Sequence, residues 1–336
     1  MSTSNITFRK TGSSIKVTPV DEVSLEARAA SLATRSIKTD SKRAALHLAI
    51  RCMDLTTLEG ADTPEKVASL CQKAKRPDPS NHDVPSVAAV CIYPEMVHHA
   101  VEATEGSSVK VASVAGAFPS GLSTIEARTA DIADAVKRGA DEIDIVLNRS
   151  AFLAGDEQRA FEEIVASKDA CGKAHLKVIL EVGELGSYDK IRQASMLAMT
   201  AGADFIKTST GKISQASSLP RVLCMAEAVR DFAQQTDISV GIKAAGGIRT
   251  AKQAWHYLVV IGETLGTEWL SPEMFRIGAS SLLNDVLLQL KRLDSGSYSG
   301  PDYVTVDQWL IRTLKVDPVW KILGSSMRLR LSQRVL

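Results

Sequence analysis

From about residue 50 onward, short apolar segments alternate with longer segments of helical periodicity, and this alternation restricts the fold more than any other feature. Eight segments are rich in apolar and β-branched residues, namely 51–57, 86–93, 109–118, 142–148, 176–183, 204–210, 239–245 and 275–280. Several are almost entirely apolar, which is typical of parallel strands that are covered on both faces. The pattern predicts an α/β protein built on a parallel sheet.

Helix start and stop signals lie between these predicted strands. The predicted helices cover 63–76, 123–141, 187–204, 250–266 and 281–293. Thr63 is the predicted N-cap of the first and is followed by proline, which favours the first helical position. Ser123 and Glu126 have the spacing of a capping box. The sequence Gly-Ala-Asp ends the second and third of these helices and leads into a strand each time.

Eight such units predict a (β/α)8 TIM barrel with right-handed crossovers. The alternative is a doubly wound open sheet, which would need a glycine-rich dinucleotide turn where the chain reads MDLTTLEGADTP. We predict three parts: an N-terminal extension (1–46) with one polar helix, the barrel (47–293), and a C-terminal tail (294–336). The tail ends in a basic amphipathic segment at 320–336, which we expect to pack on the barrel or at a subunit contact.

Composition argues against several classes of function. The formal net charge of +1 gives no broad positive surface for nucleic acid or membrane. The five cysteines and six histidines show no CxxC or HExxH spacing, so we predict no disulfide framework and no metal. The N-terminus lacks the apolar region of a signal peptide, and no run of about 18 apolar residues follows. We therefore predict a cytoplasmic protein.

Lys207 in DFIKTST and Lys243 in SVGIKAA each lie in the middle of a predicted strand. Burying an ammonium group is costly, so each lysine needs a reason to be there. Desolvation and a second cation both lower the pKa of a lysine, and the free amine can then attack a carbonyl group to form a Schiff base. Because the sixth and seventh strands are neighbours, we expect the two amines to lie close together. The alternative is that each lysine pairs with a barrel carboxylate and only closes the core.

Other reactive side chains lie near the same strand ends. Asp144 is flanked by two isoleucines and points away from them, so we predict that it acts as general acid and base. Asp54 is predicted either to support Lys243 or a substrate hydroxyl, or to serve only as a cap or ion-pair partner. Cys91 has no histidine placed to activate it, so we predict a small buried residue rather than a nucleophile.

Small residues follow the last two predicted strands. Gly246 and Gly247 come after the seventh, and Gly278, Ser280 and Ser281 lie where the eighth meets its helix. Glycines let a phosphate group approach backbone N–H groups, and a helix N-terminus favours the anion. Barrel enzymes frequently hold phosphate after these two strands. We therefore predict a phosphate site there.

Six segments together resemble the deoxyribose-phosphate aldolase family, in its longer, eukaryotic-type branch. They are MDLTTL (53–58), AVCIYP (89–94), DEIDIVLN (141–148), FIKTSTGK (205–212), GIKAAGGIRT (241–250) and RIGASSLL (276–283). The resemblance implies a class I aldolase that needs no metal or cofactor. Its partners would be small molecules, because it would cleave 2-deoxy-D-ribose 5-phosphate reversibly to D-glyceraldehyde 3-phosphate and acetaldehyde in deoxynucleoside catabolism.

The resemblance also implies individual roles. Lys207 would form the Schiff base, Lys243 would be the cation that lowers its pKa, and Asp144 would relay protons. The supporting and substrate-binding residues would be Asp54, Cys91, Thr210, Gly211 and Lys212. The phosphate-binding residues would be Gly246, Gly247, Gly278, Ser280 and Ser281.

The chain departs from the family pattern at two points. Ala244 stands where the family usually has proline, which we expect to soften the strand end. Some bacterial members use a C-terminal tyrosine in proton transfer, but no tyrosine follows Tyr303 here. Family members are often dimers, and we expect a homodimer or a monomer. Two other functions stay open: a non-catalytic sugar-phosphate-binding barrel, and another Schiff-base barrel such as a transaldolase-like enzyme acting on a ketose phosphate.

Overall fold

The computed structural model describes residues 4–7 and 14–297, and within them eight parallel strands close into a barrel. The strands in chain order are β1 (Ser4–Thr7), β2 (Ser14–Val17), β3 (Met53–Thr56), β4 (Ala89–Ile92), β5 (Lys110–Val114), β6 (Glu142–Val146), β7 (His175–Ile179), β8 (Phe205–Lys207), β9 (Gly241–Ala245) and β10 (Phe275–Ala279). Strands β1 and β2 form a separate antiparallel pair. Strands β3–β10 follow one another around the ring, and β10 pairs with β3. The predicted (β/α)8 barrel is confirmed, and the open-sheet alternative is wrong.

Helices surround the barrel. They are α1 (Glu22–Leu32), α2 (Thr39–Arg51), α3 (Pro64–Lys75), α4 (Val97–Thr104), α5 (Ile125–Lys137), α6 (Arg149–Leu153), α7 (Glu157–Cys171), α8 (Tyr188–Thr200), α9 (Leu219–Thr236), α10 (Ala251–Leu265) and α11 (Leu282–Ser295). Helices α1 and α2 precede the barrel, and α2 crosses the predicted boundary between residues 46 and 47. At least one helix lies between each pair of successive barrel strands, and α11 follows the last strand.

Side chains at the N-caps set where several helices begin. Thr63 caps α3 as predicted, and Thr250 and Gln253 form a capping box at the start of α10. Helix α5 is capped by Thr124 rather than by the predicted Ser123. In each case a side-chain oxygen accepts a hydrogen bond from a backbone N–H group that has no partner within the helix.

The main apolar core lies between the outer faces of the strands and the helices. Ile143 and Ile145 of β6 and Ile206 of β8 are completely buried there. Because successive strand residues point to opposite faces, the residues between them project into the barrel. On β6 these inward residues are Glu142 and Asp144, so this fold places charged groups in the barrel interior.

The ring of Phe205 fills the interior toward the amino ends of the strands. A Cβ atom on Gly241, its partner on β9, would lie only 2.3 Å from a carbon of this ring. Position 241 must therefore be glycine for the ring to lie where it does. Phe205 precedes Lys207 by two residues on the same face, so the ring lies directly below that lysine.

The predicted C-terminal tail begins within α11, which ends at Ser295. The rest of the tail from residue 298 onward, including the predicted amphipathic segment 320–336, lies outside the described residues. None of the helices in the described ranges is both long enough and apolar enough to cross a membrane.

Candidate active site

Strand register places Lys207 of β8 beside Lys243 of β9. The two residues are Cα partners in the parallel pair of strands, and β9 continues regularly through Ala244. Both side chains point into the barrel, where Lys207 is 3% and Lys243 is 1% exposed. The fold therefore brings the two lysines together, deep in the interior and near the carboxyl ends of their strands.

One carboxylate oxygen joins the two amines. Asp144 Oδ2 accepts hydrogen bonds from Lys207 Nζ at 2.7 Å and from Lys243 Nζ at 2.9 Å. Because both nitrogens contact one oxygen, they lie within about 6 Å of each other, a distance at which one cation lowers the pKa of another. The lysines are thus neither far apart nor held in separate ion pairs.

The two lysines differ in their remaining contacts and therefore in their affinity for a proton. Lys243 Nζ also lies 2.6 Å from Asp54 Oδ2. Burial lowers the pKa of Lys243, but Asp144 and Asp54 outweigh burial and hold it well above the ordinary value. Burial also lowers the pKa of Lys207, Asp144 raises it, and Lys243 lowers it again, so the pKa lies below the ordinary value. Lys207 is the amine that gives up its proton more readily.

Asp54 and Cys91 line the same interior from β3 and β4. Burial raises the pKa of Asp54, but Lys243 and Arg276 more than reverse this, so Asp54 stays ionised. Cys91 Sγ lies 4.0 Å from Asp144 Oδ2, and burial raises the pKa of the thiol. Since the thiolate is the nucleophilic form, this environment suits a small lining residue.

Three further charged side chains complete the interior and were not among the predicted site residues. Lys177 Nζ lies 2.5 Å from Glu142 Oε2 and 3.1 Å from Asp144 Oδ1. Arg276 lies 2.8 Å from Asp54 Oδ1 and 2.8 Å from Glu142 Oε1. Glu142, Lys177 and Arg276 are each a charged residue within an apolar strand, and this feature of the sequence could have indicated them. They were not predicted because only polar residues at the carboxyl ends of the strands were taken as candidates.

The loop after β8 carries the predicted substrate-binding residues Thr210, Gly211 and Lys212. Thr210 Oγ1 donates a hydrogen bond to Glu181 Oε2 at 2.5 Å, and Lys212 Nζ lies 3.0 Å from Glu59 Oε1. Glu181, which sequence reasoning missed, follows β7 with a φ of 55°, and burial raises its pKa. These contacts tie the loop to the loops after β7 and β3, across the mouth of the barrel.

The predicted phosphate-binding residues lie at the carboxyl ends of β9 and β10. Gly246 and Gly247 have φ values of 88° and 78°, in the left-handed region that favours glycine. A Cβ atom on Gly246 or Gly278 would lie within 2.8 Å of the methyl carbon of a neighbouring alanine. Ser280 and Ser281 are exposed, and Ser281 is the N-cap of α11. The turns therefore present backbone rather than side chains to the barrel mouth.

The side of the mouth formed by β4 and β5 is apolar. Its buried members are Leu58, Ala89, Cys91, Ala112 and Val114, and Tyr93 and Phe118 pack against them. The two aromatic rings meet edge to face, with centroids 6.1 Å apart. The interior thus has a charged half and an apolar half, and the apolar half suits a small carbonyl compound.

The geometry of Lys207, Lys243 and Asp144 supports attack of an amine on a carbonyl compound. An amine with a lowered pKa, held next to a carboxylate and a second ammonium group, can attack a carbonyl carbon and pass protons to its neighbours. Within the described ranges, no group of three or more His, Cys, Asp or Glu residues is arranged to hold a metal ion.

Comparison with known proteins gives the family. The model of the DeoC/LacD family aldolases matches residues 48–287. The mouse deoxyribose-phosphate aldolase is 46% identical over 277 residues, which cover 80% of this chain and 87% of the mouse protein. The human enzyme is 45% identical over the same length and coverage. The structure of the deoxyribose phosphate aldolase of Aeropyrum pernix shares the fold, with a TM-score of 0.58 at 24% identity, covering 83% of this chain and 100% of that one. This chain belongs to the DeoC/LacD aldolase family.

Proposed function

We propose that this protein is a class I deoxyribose-phosphate aldolase, which cleaves 2-deoxy-D-ribose 5-phosphate reversibly to D-glyceraldehyde 3-phosphate and acetaldehyde. The observation that carries the proposal is the carboxylate of Asp144, shared by Lys207 and Lys243 inside the barrel. Membership of an aldolase family and the names of the mammalian relatives support the choice of substrate.

In the first half of the reaction, the neutral amine of Lys207 forms a bond to the aldehyde carbon C1 of the open-chain substrate. The hydroxyl group of the resulting carbinolamine takes a proton from the Asp144–Lys243 pair and leaves as water, which gives a protonated Schiff base. The C3 hydroxyl group then gives up its proton and the C2–C3 bond breaks, so that glyceraldehyde 3-phosphate leaves and the bonding electrons form an enamine on Lys207. Asp144 and Lys243, joined by a hydrogen bond of 2.9 Å, are placed to take up and pass on that proton.

In the second half, the enamine takes up a proton at C2 and becomes the Schiff base of acetaldehyde. Water adds to its C1 carbon, acetaldehyde leaves, and the amine of Lys207 is free again. The positive charge of each Schiff base lies next to the carboxylate of Asp144, which stabilises it. The apolar half of the interior accommodates the methyl group of the acetaldehyde fragment.

The phosphate group would lie at the mouth, against the residues that follow β8, β9 and β10. Lys212 supplies a charge, while Gly246 and Gly247 allow close approach of backbone N–H groups. The N-terminus of α11 at Ser281 favours an anion. Thr210, Gly211, Gly278 and Ser280 complete this part of the proposed site, and Asp54 and Cys91 line the interior beneath it.

We place this activity in the cytoplasm, in the catabolism of deoxynucleosides, without a cofactor and in a homodimer or a monomer. The five cysteines, all buried and without a disulfide bond, support a reducing compartment. The division into an extension (1–46), a barrel (47–293) and a tail (294–336) also remains our proposal.

Reductive trapping tests the proposed chemistry. The protein is incubated with deoxyribose 5-phosphate or with acetaldehyde, reduced with borohydride, and digested for peptide mass analysis. We expect the adduct on Lys207 and its loss in Lys207→Ala, whereas Lys110→Ala, at an exposed lysine of β5, should retain it. An adduct on another residue, or none on a folded protein, would contradict the proposal. Turnover of a ketose phosphate in preference to deoxyribose 5-phosphate would indicate the transaldolase-like alternative.

A further inference from the structure

The barrel interior holds a cluster of ionisable side chains to which seven of the eight strands contribute. Its members are Asp54 (β3), Cys91 (β4), Glu142 and Asp144 (β6), Lys177 (β7), Lys207 (β8), Lys243 (β9) and Arg276 (β10). Strand β5 contributes Ala112 and Val114, which do not titrate. All eight ionisable residues are buried, so each charge depends on its neighbours for compensation.

The cluster has one more cation than it has carboxylates. Three lysines and one arginine face two aspartates and one glutamate, and the buried thiol of Cys91 has a raised pKa. An uncompensated charge is expensive to bury, so the cluster is most stable when one amine has lost its proton. Arginine does not deprotonate in proteins, so this amine must belong to a lysine.

The contacts identify which lysine it is. Lys177 contacts the carboxylates of Glu142 and Asp144, and Lys243 contacts those of Asp54 and Asp144. Among the residues that the structure describes, Lys207 forms an ion pair with Asp144 alone, through the oxygen that Lys243 also uses. Lys207 therefore has the least compensation for a positive charge.

We propose that Arg276 is a positioning residue that keeps Lys207 deprotonated without touching the substrate. Its guanidinium group binds Asp54 and Glu142. With Arg276, Lys177 and Lys243 all charged, the three carboxylates are balanced, and no carboxylate is left to balance a charge on Lys207. The inference rests on the proposed function for the importance of a neutral Lys207, but the charge balance is a property of the barrel itself.

Two basic side chains in the loops above the cluster pair with acidic groups there rather than with members of the cluster. Lys212 lies 3.0 Å from Glu59, and Arg149 lies 3.0 Å from Glu184 and 3.6 Å from Glu181. Arg249, in the loop after β9, is exposed, so solvent screens its charge, and the excess positive charge among the buried side chains belongs to the interior.

Three variants separate the charge balance from general disruption. Arg276→Gln removes a cation, so Lys207 should keep its proton to higher pH. Glu142→Gln removes a carboxylate, so Lys207 should lose its proton at lower pH. At an effective dielectric constant of about 20, one charge at roughly 10 Å corresponds to a shift of about one pH unit in either direction. The double variant removes one charge of each sign and should titrate like the unmodified protein.

The measurement is competitive labelling with trace acetic anhydride, in which the rate of acetylation of Lys207 is followed against pH by peptide mass analysis. Opposite shifts in the two single variants, cancelled in the double variant, are the expected result. If the pH at which Lys207 titrates shifts in the same direction in both single variants, or does not shift, the inference is wrong. If one single variant does not fold, comparing the other with the double variant still tests the inference. Failure of acetaldehyde to label Lys207 in the unmodified protein would count against the proposed function instead, because acetic anhydride reports protonation without any aldolase chemistry.

Discussion

Replacing Lys243 with methionine tests the electrostatic argument for the proposed nucleophile most directly. The substitution keeps a long side chain on β9 but removes the ammonium group that shares Asp144 Oδ2 with Lys207. Two effects then act in the same direction. Lys207 loses a neighbouring cation, and it becomes the only amine among the described residues that donates to that carboxylate oxygen. Both favour the protonated form, so the pKa of Lys207 should rise.

The size of this effect follows from the geometry. Two unit charges within about 6 Å of each other, at an effective dielectric constant of about 20, repel each other by about 3 kcal/mol. This energy corresponds to a rise of about two pH units in the pKa of Lys207. In the pH range where the amine is mostly protonated, the neutral fraction, and with it the rate of Schiff-base formation, should fall about 100-fold.

The assay is the rate of reductive trapping of acetaldehyde on Lys207 between pH 5 and 10, with Lys243→Met beside the unmodified protein. The acidic limb of the profile should move to higher pH in the variant and level off at a comparable rate. Lys110→Met, which removes the same charge from an exposed position on β5, should leave the limb in place because solvent screens that charge. A Lys243→Met variant whose limb coincides with that of the unmodified protein would refute the assigned effect of Lys243.

Three further predictions concern the packing, the acid stability and the phosphate. Gly241→Ala places a Cβ atom 2.3 Å from the ring of Phe205, so it should lower the free energy of unfolding by about 1–3 kcal/mol, measured by urea denaturation, and Phe205→Leu should restore part of the loss. Asp144 and Asp54 have folded-state pKa values below their unfolded ones, so the stability they contribute is complete above about pH 4 and should fall as the pH drops further; a urea midpoint that stays constant from pH 5 to pH 3 would contradict this. Lys212→Met should raise KM for deoxyribose 5-phosphate while leaving acetaldehyde trapping on Lys207 unchanged, because acetaldehyde carries no phosphate, and an unchanged KM would remove Lys212 from the phosphate site.

The strand pattern was sufficient to predict the barrel, but not all of its helices. Between the barrel strands, the predicted series omitted α4, α6, α7 and α9. In α9, an unbroken run of eight residues, 222–229, is buried, because the helix lies between α8 and α10 with α1 across it. A helix that is covered on most sides shows little amphipathic periodicity, so its sequence does not stand out from a buried strand.

The two lysines and Asp144 could be predicted because each is a charged residue near the end of an apolar strand. The sequence could not show that Lys207 and Lys243 share Asp144. Sharing requires inward-pointing residues of separate strands to lie at the same height in the barrel. Parallel register sets this, and it aligns Lys207 with Lys243 and Lys243 with Arg276. Lys177 was overlooked for a related reason, because its importance lies in partners that are distant along the chain.

In the described part of the chain, the phenyl ring of Phe205 is 2% exposed and fills the amino end of the barrel beside Lys177 and Arg276. Since the amino end is blocked, whatever binds Lys207 has to arrive and depart past the loops at the carboxyl ends. In the proposed reaction, the phosphate-bearing fragment lies nearer those loops than the two-carbon fragment attached to the amine. The phosphate-bearing aldehyde must depart first in cleavage and enter second in synthesis, because the two-carbon fragment stays bonded to Lys207, deeper in the barrel and just above the ring of Phe205.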